Sequence, residues 1–477
     1  MVRRYVWIAL TFSAVWAADV RAQPSETIRL TVHPAAAPVP ALAYQFLPDV
    51  ADLIPGNAAI FYERAYSPEW LSHRSRPQIG EKLDAWKKAP LKELPRKDMA
   101  WLATYLPLRE LDYAVRHEMC DWDLRDRVRK EGMTLLLPDL QGFREFANLL
   151  AARARLEMAE HHYSDAISTL QTGFKLARDV GEGPTLIHVL VGVASAQAMA
   201  EQVETLIEQA DAPNLYWALT VLPRPFVSYR KPLLGEKVLI ESLWPHLHEL
   251  ETTVMTPQQV EAQLTQARRS MGERAWVDTF GSSGSADKAI FALLVAKAYP
   301  AAKVALIKKG RPSDEVESMP ALQVVLLYSL DEYRRHRDAL FCWADVPLWQ
   351  ALPGLHRADE ELKAARASGS EGLPIASTFL SAVGKVFEAS ARADRRIAAL
   401  RCIEAVRLYA AGHDGKLPAQ LEDVTVVPTP LDPMTGKPFE YHADGNKFTL
   451  RGPVPAGAPS YPNNTLQYEV TVTGSGK

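Results

Sequence analysis

Between Gly384 and Gly412 run 27 residues, KVFEASARADRRIAALRCIEAVRLYAA, with neither glycine nor proline. Nothing there breaks a helix, and at about 1.5 Å per residue it would be roughly 40 Å long. A rod of that length sets the scale of any fold around it. The 477 residues exceed what one ordinary core organises, so two or three domains are expected. Apolar residues at 47% and charged residues at 23% are ordinary globular usage, so a packed core is expected, not disorder.

The remaining punctuation divides the chain. Residues 1–22 read as a signal peptide: Arg3 and Arg4, an apolar run from Tyr5 to Ala18, then Val20 and Ala22 at the −3 and −1 positions of a cleavage site. The run is too short to span a bilayer comfortably, and no membrane span is expected after cleavage. The chain is therefore expected to be secreted or periplasmic. Removing residues 1–22 takes out three arginines and one aspartate and moves the formal charge from −3 to −5. A mildly acidic chain argues against a nucleic-acid partner, which needs a concentrated basic face.

Residues 23–56 read as an extended proline-rich segment with a short strand at TIRLTV. Residues 57–215 read as a helical domain. Asn57 is its expected first cap, and Gly181 and Pro184 end its clearest helix, in which Tyr163, Ala166, Ile167, Leu170, Phe174 and Ala177 form one narrow stripe. The following segment carries Gly192, Ala194, Ala196, Ala198 and Ala200, small residues that let helices approach closely. Residues 216–383 read as a second helical region, with Thr256 and Pro257 opening one helix. Loops are expected at 280–287 and 366–374. Residues 384–454 read as the long helix followed by a β-hairpin turning at Asp444-Gly445, and residues 455–477 as a tail whose alternating TLQYEVTVTG is a strand. We expect it to pair with IRLTV or with the hairpin. The fold class is thus mainly α: a solenoid-like stack of antiparallel helical hairpins with a small β-hairpin cap at the C-terminus.

Three resemblances bear on this. Tyr163, Ala166, Leu170 and Gly173 resemble the second helix of a tetratricopeptide repeat, although Leu150, Ala154 and Glu157 stand where the first-helix signature would be. The order long helix, LY, KLP, DPMTGKPFEY, KFTLR resembles the globular end of type II secretion pseudopilins, without their N-terminal membrane helix. LIPGNAAIFYERA, CDWDL, PTLIHVLVG, PNLYWALTVLPRP and DPMTGKPFEY together resemble a group of uncharacterised secreted planctomycete-type proteins. The last implies no activity.

The densest polar cluster is RHEMCDWDLRD. On a helix, His117, Cys120 and Asp121 would share one face at i, i+3 and i+4. Thiolate, imidazole and carboxylate can bind zinc, and a Cys-His pair can be nucleophilic. No CxxC, HExxH, P-loop or Gly-x-Ser-x-Gly motif accompanies them. The simpler reading is a helix with a buried cysteine and exposed acids. No catalytic, cofactor or metal residue is assigned, and no cofactor is implied. Trp217 reads as core, and Cys120, Cys342 and Cys402 as buried thiols. The functional expectation is protein or peptide binding, or envelope scaffolding, on helical surfaces of the kind that repeat proteins use. The alternative is a metal-dependent or Cys/His hydrolase built on residues 117–123.

Overall fold

A computed structural model of the chain describes residues 27–67, 70, 77–132, 135, 139–244, 246–272, 276–277, 279, 285–456 and 464–474. The proposed signal peptide lies outside them. The described chain is mainly helical, with a small sheet that draws on its C-terminal part.

Seven helices reach nineteen residues or more among the described residues: α1 (Asp139–Ala159), α2 (Tyr163–Gly181), α3 (Leu186–Ile207), α4 (Ser285–Lys308), α5 (Ala321–Phe341), α6 (Leu348–Ser368) and α7 (Val383–Gly412). Helices α1, α2 and α3 pack on one another, as do α4 with α5 and α5 with α6. Helix α7 touches both α3 and α6 and so joins the two groups. It ends at the expected Gly412 and begins at Val383, one residue before the expected Gly384.

Local chemistry explains the ends. Asn57 caps Ala58–Arg64 by accepting the Ala59 N–H at 3.1 Å. Thr256 and Gln259 form a reciprocal capping box with Pro257 in the first turn of Pro257–Met271. Helix α2 stops at Gly181. The 366–374 loop follows α6, with Gly369 at φ +70° as its cap. Most of the other expected loop lies outside the described residues, and Ser285 already begins α4.

The narrow stripe expected on α2 is wider in the structure. Thr169, Thr172, Lys175, Leu176 and Asp179 are buried as well as Ala166, Ile167, Leu170, Phe174 and Ala177, whereas Tyr163 is half-buried. Helices α1 and α3 and the Phe46 and Tyr62 segments surround it, so little of it faces water. A Cβ on Gly192 of α3 would sit 2.5 Å from the Ala177 carbonyl oxygen and 2.6 Å from Gly181 Cα. The small residue there lets two backbones meet.

The sheet has the order β1-β6-β5-β4, with β1 at Thr27–Val32, β4 at Glu440–Asp444, β5 at Lys447–Gly452 and β6 at Leu466–Val472. Strand β6 runs parallel to β1, from Thr27 opposite Gln467 to Val32 opposite Val472, and antiparallel to β5. The terminal strand therefore takes both expected partners and is no edge. The β4–β5 loop is Gly445-Asn446, with Gly445 at φ +58° in the first loop position, where a type II′ turn takes glycine. Leu30, Val32, Phe448, Leu450, Tyr468, Val470 and Val472 are buried with the helices in one continuous core. Tyr468 donates to Glu204 of α3 at 2.6 Å, and Arg396 of α7 holds the same carboxylate at 2.8 and 2.7 Å. Those bonds fix the sheet to the helices.

The three cysteines are free: Cys402 buried, Cys120 half-buried and Cys342 exposed, so burial fails for the last. Trp217 is half-buried against a small cluster of Tyr216, Ala405, Leu408, Val424 and Val427. Helix α3 and Ala289–Lys308 of α4 are each long and apolar enough to cross a membrane. Two-thirds of the α3 window is buried in the core, but only 22% of the α4 window.

Candidate functional site

The 117–123 cluster does not form the expected helix. His117–Met119 is a short strand, β3, parallel to β2 (Ile54–Asn57), and residues 120–124 form a loop with Asp123 at φ +51°. Asn57 locks that loop. Its side chain donates to the Asp121 carbonyl at 2.7 Å and accepts the Asp121 N–H at 2.8 Å, while it caps the next helix. One residue thus fixes a helix start and a loop 64 positions away.

The three candidates part company. His117 is buried, with Nδ1 between the carbonyls of Tyr113 and Ala114 at 3.1 and 3.2 Å and its ring stacked 4.4 Å from Phe61. It lies against Gly56, where a Cβ would come within 2.8 Å of the ring. Cys120 and Asp121 instead line a cleft of about 1030 Å³, and His117 does not. Burial pushes the Cys120 thiol far up, and the Asp179 carboxylate adds to this while Lys175 and Lys231 oppose it. A thiol so held is a poor nucleophile near neutral pH. Among the described residues no group of three His, Cys, Asp or Glu side chains is placed to hold a metal ion.

The cleft lies between the 45–53 segment, the β3 loop, α2 and the helix Arg230–Glu241. Its floor carries a group that the sequence reading passed over. Lys175 Nζ bonds Asp179 at 2.7 Å, one turn apart on α2, and Tyr62 donates to the same carboxylate at 2.8 Å. Burial raises Asp179, against the pull of Lys175. Trp122 donates to the Asp179 carbonyl at 2.9 Å and stacks on Tyr62 at 5.5 Å. The rim carries exposed apolar side chains: Val50, Met119, Val221 and Leu234. Lys231, Lys237, Arg125 and Arg129 line the same cleft as Glu118, Asp121 and Glu241. The only signal in the sequence was a Lys-x-x-x-Asp spacing, Lys175 and Asp179, one turn apart on α2. His246 and His248 are exposed and do not belong to this lining.

Fold and cleft together define a mainly helical chain that presents a mixed apolar and charged groove over a rigid, buried ion pair. Comparison with protein-family models, with curated proteins and with solved structures gives no match.

Proposed function

We propose that the chain is a binding or scaffolding protein that holds an extended segment of a partner protein in the Cys120–Leu234 cleft. The observation that carries this is the exposed apolar rim, Val50, Met119, Val221 and Leu234, around one concave site. Exposed apolar side chains gathered in a cleft mark binding surfaces, and the charges of both signs in the same lining supply selectivity. The hydrolase alternative is disfavoured because His117 points away from Cys120's cleft and the thiol stays protonated. The reading includes a solenoid-like stacking of the α1–α3 hairpins, the tetratricopeptide-like and pseudopilin-like likenesses, membership of the secreted planctomycete-type group, and export with cleavage near Ala22. It includes no nucleic-acid partner. Cell fractionation tests the export.

Peptides selected on the full-length chain from a displayed random library test the binding. Met119→Asp and Leu234→Asp, both surface changes, are expected to weaken the selected peptides by about tenfold or more. Cys120→Ser is expected to leave them bound and uncleaved. Binding indifferent to both aspartates overturns the assignment of the cleft. Peptide cleavage that Cys120→Ser abolishes restores the hydrolase.

A further inference from the structure

Three arginines stand six residues apart on α7: Arg395, Arg401 and Arg407, all buried. Six helical residues turn the side chain by about 120°, so each points in a different direction. The outer two have carboxylates. Arg395 bonds Asp432 at 2.9 and 2.5 Å, and Arg407 bonds Glu404 at 2.6 Å. Arg401 has none. Its Nε donates to the Thr220 hydroxyl at 3.1 Å and Nη2 to Tyr216 Oη at 3.4 Å, with the guanidinium 5.4 Å from the Tyr216 ring centre. No carboxylate lies within 4.0 Å among the described residues. Two other buried arginines, Arg153 and Arg337, also have acids, and Arg155 has four neutral acceptors that include two backbone carbonyls. Arg401 is the least compensated buried arginine described.

Arg401 lines a second cleft, of about 510 Å³, which shares no lining residue with the first. Arg224 is on the same wall, its Nη2 on the Thr220 carbonyl at 3.3 Å, and it too has no carboxylate within 4.0 Å among the described residues. The like charge of Arg401 helps burial to lower the pKa of Arg224, so the two fields overlap. The cleft's acids answer them only in part, Asp394 attracting Arg224 from beyond ion-pair distance. Asp345 is held by Arg230 at 3.1 Å. Asp394 accepts the Phe226 N–H at 3.0 Å, and burial lifts it to about 7, so near neutral pH it is protonated much of the time. The lining also carries apolar Trp343, Trp349 and Leu431, the last two exposed.

A buried cation without a counter-charge is costly, and an arginine fork matches a carboxylate or phosphate. We propose that this cleft binds an organic anion, whose carboxylate or phosphate sits on Arg401 and Arg224 and whose apolar body lies on Trp343, Trp349 and Leu431. The site is independent of the peptide cleft.

Calorimetric titration of the full-length chain with four probes tests this: N-acetyl-phenylalanine, its amide, phenyl phosphate and inorganic phosphate. At least one of the two apolar anions is expected to bind with a Kd of about 1 mM or below, and the stronger of them names the headgroup. The amide and inorganic phosphate are expected to bind at least about tenfold more weakly. Arg401→Gln and Arg224→Gln should each cost about tenfold or more, and Trp349→Ala a smaller factor. Without ligand, Arg401→Gln should melt no lower than the parent, because it breaks no ion pair, whereas Arg395→Gln should melt lower. Equal binding of acid and amide, equal binding of phosphate and phenyl phosphate, saturation by none of the four, or indifference to both arginine changes overturns the proposal. Arg224 is exposed, so its variant keeps the test valid if Arg401→Gln fails to fold.

Discussion

At the residue scale, buried titratable groups carry the clearest consequences. Glu236 accepts the Leu186 N–H at 2.8 Å at the start of α3, and burial raises it to about 7. An acid whose folded pKa is raised binds more protons folded than unfolded. Its stabilising contribution is complete below the unfolded carboxylate range and is lost as pH rises from there to about 7. Glu236→Gln keeps the acceptor oxygen. It should be more stable than the parent at pH 8, on the order of 2 kcal/mol, and equal to it near pH 4, as read by urea unfolding. His188 works the other way. Burial lowers it to about 3, so its contribution is lost as pH falls below the ordinary histidine range. Arg395→Met should cost about 3–5 kcal/mol in the same assay, because it leaves buried Asp432 without its cation. Such effects are not readable from residue type alone. The sequence shows five arginines in α7, and only the fold shows that buried Arg401 has no carboxylate beside it.

At the scale of elements, much was legible wherever the information was local. The Asn57 cap, the Thr256-Pro257 start, the Gly412 end of α7 and the Gly445 turn each depend on a few neighbouring residues. The 117–123 cluster failed for the opposite reason. Strand β3 has three residues, and what holds it is Ile54 and Asn57, about sixty positions earlier. Periodicity cannot report such a partner. Nor did one stripe on α2 announce that two helices and the Phe46 and Tyr62 segments would bury it. Gly192 gives a test. Helix propensity alone favours Gly192→Ala by about 1 kcal/mol. The contact with Ala177 and Gly181 opposes it, and the variant should be destabilised by about 1–3 kcal/mol in urea.

At the scale of the molecule, the two clefts have in common that distant segments meet in them. The first joins residues 45–53, 118–129, 175–184 and 221–241, and the second joins 223–229, 343–355, 387–401 and 428–433. No spacing rule connects such segments, so neither cleft was visible in the sequence, although Cys120 and Asp121 were singled out on other grounds. The sheet was more legible, because alternation marks each strand and few unpaired strands compete for partners. Truncation after residue 464 would remove β6. Hydrogen exchange should then show β1 and β5 losing protection together, whereas α1–α3 retain theirs; protection kept in β1 would contradict the pairing.

That pairing also orders events during synthesis. Arg29 and Glu469 meet across 440 positions. A nascent chain therefore carries β1 unpaired until nearly all of the helical body has been translated. Closing so long a loop costs little more than closing one of half the length, about 0.6 kcal/mol per doubling, but it comes late. A translation product that ends early has its helices and an open strand edge, the feature through which unfinished chains associate with one another. Strand β6 acts as the latch by which a finished molecule differs from an interrupted one.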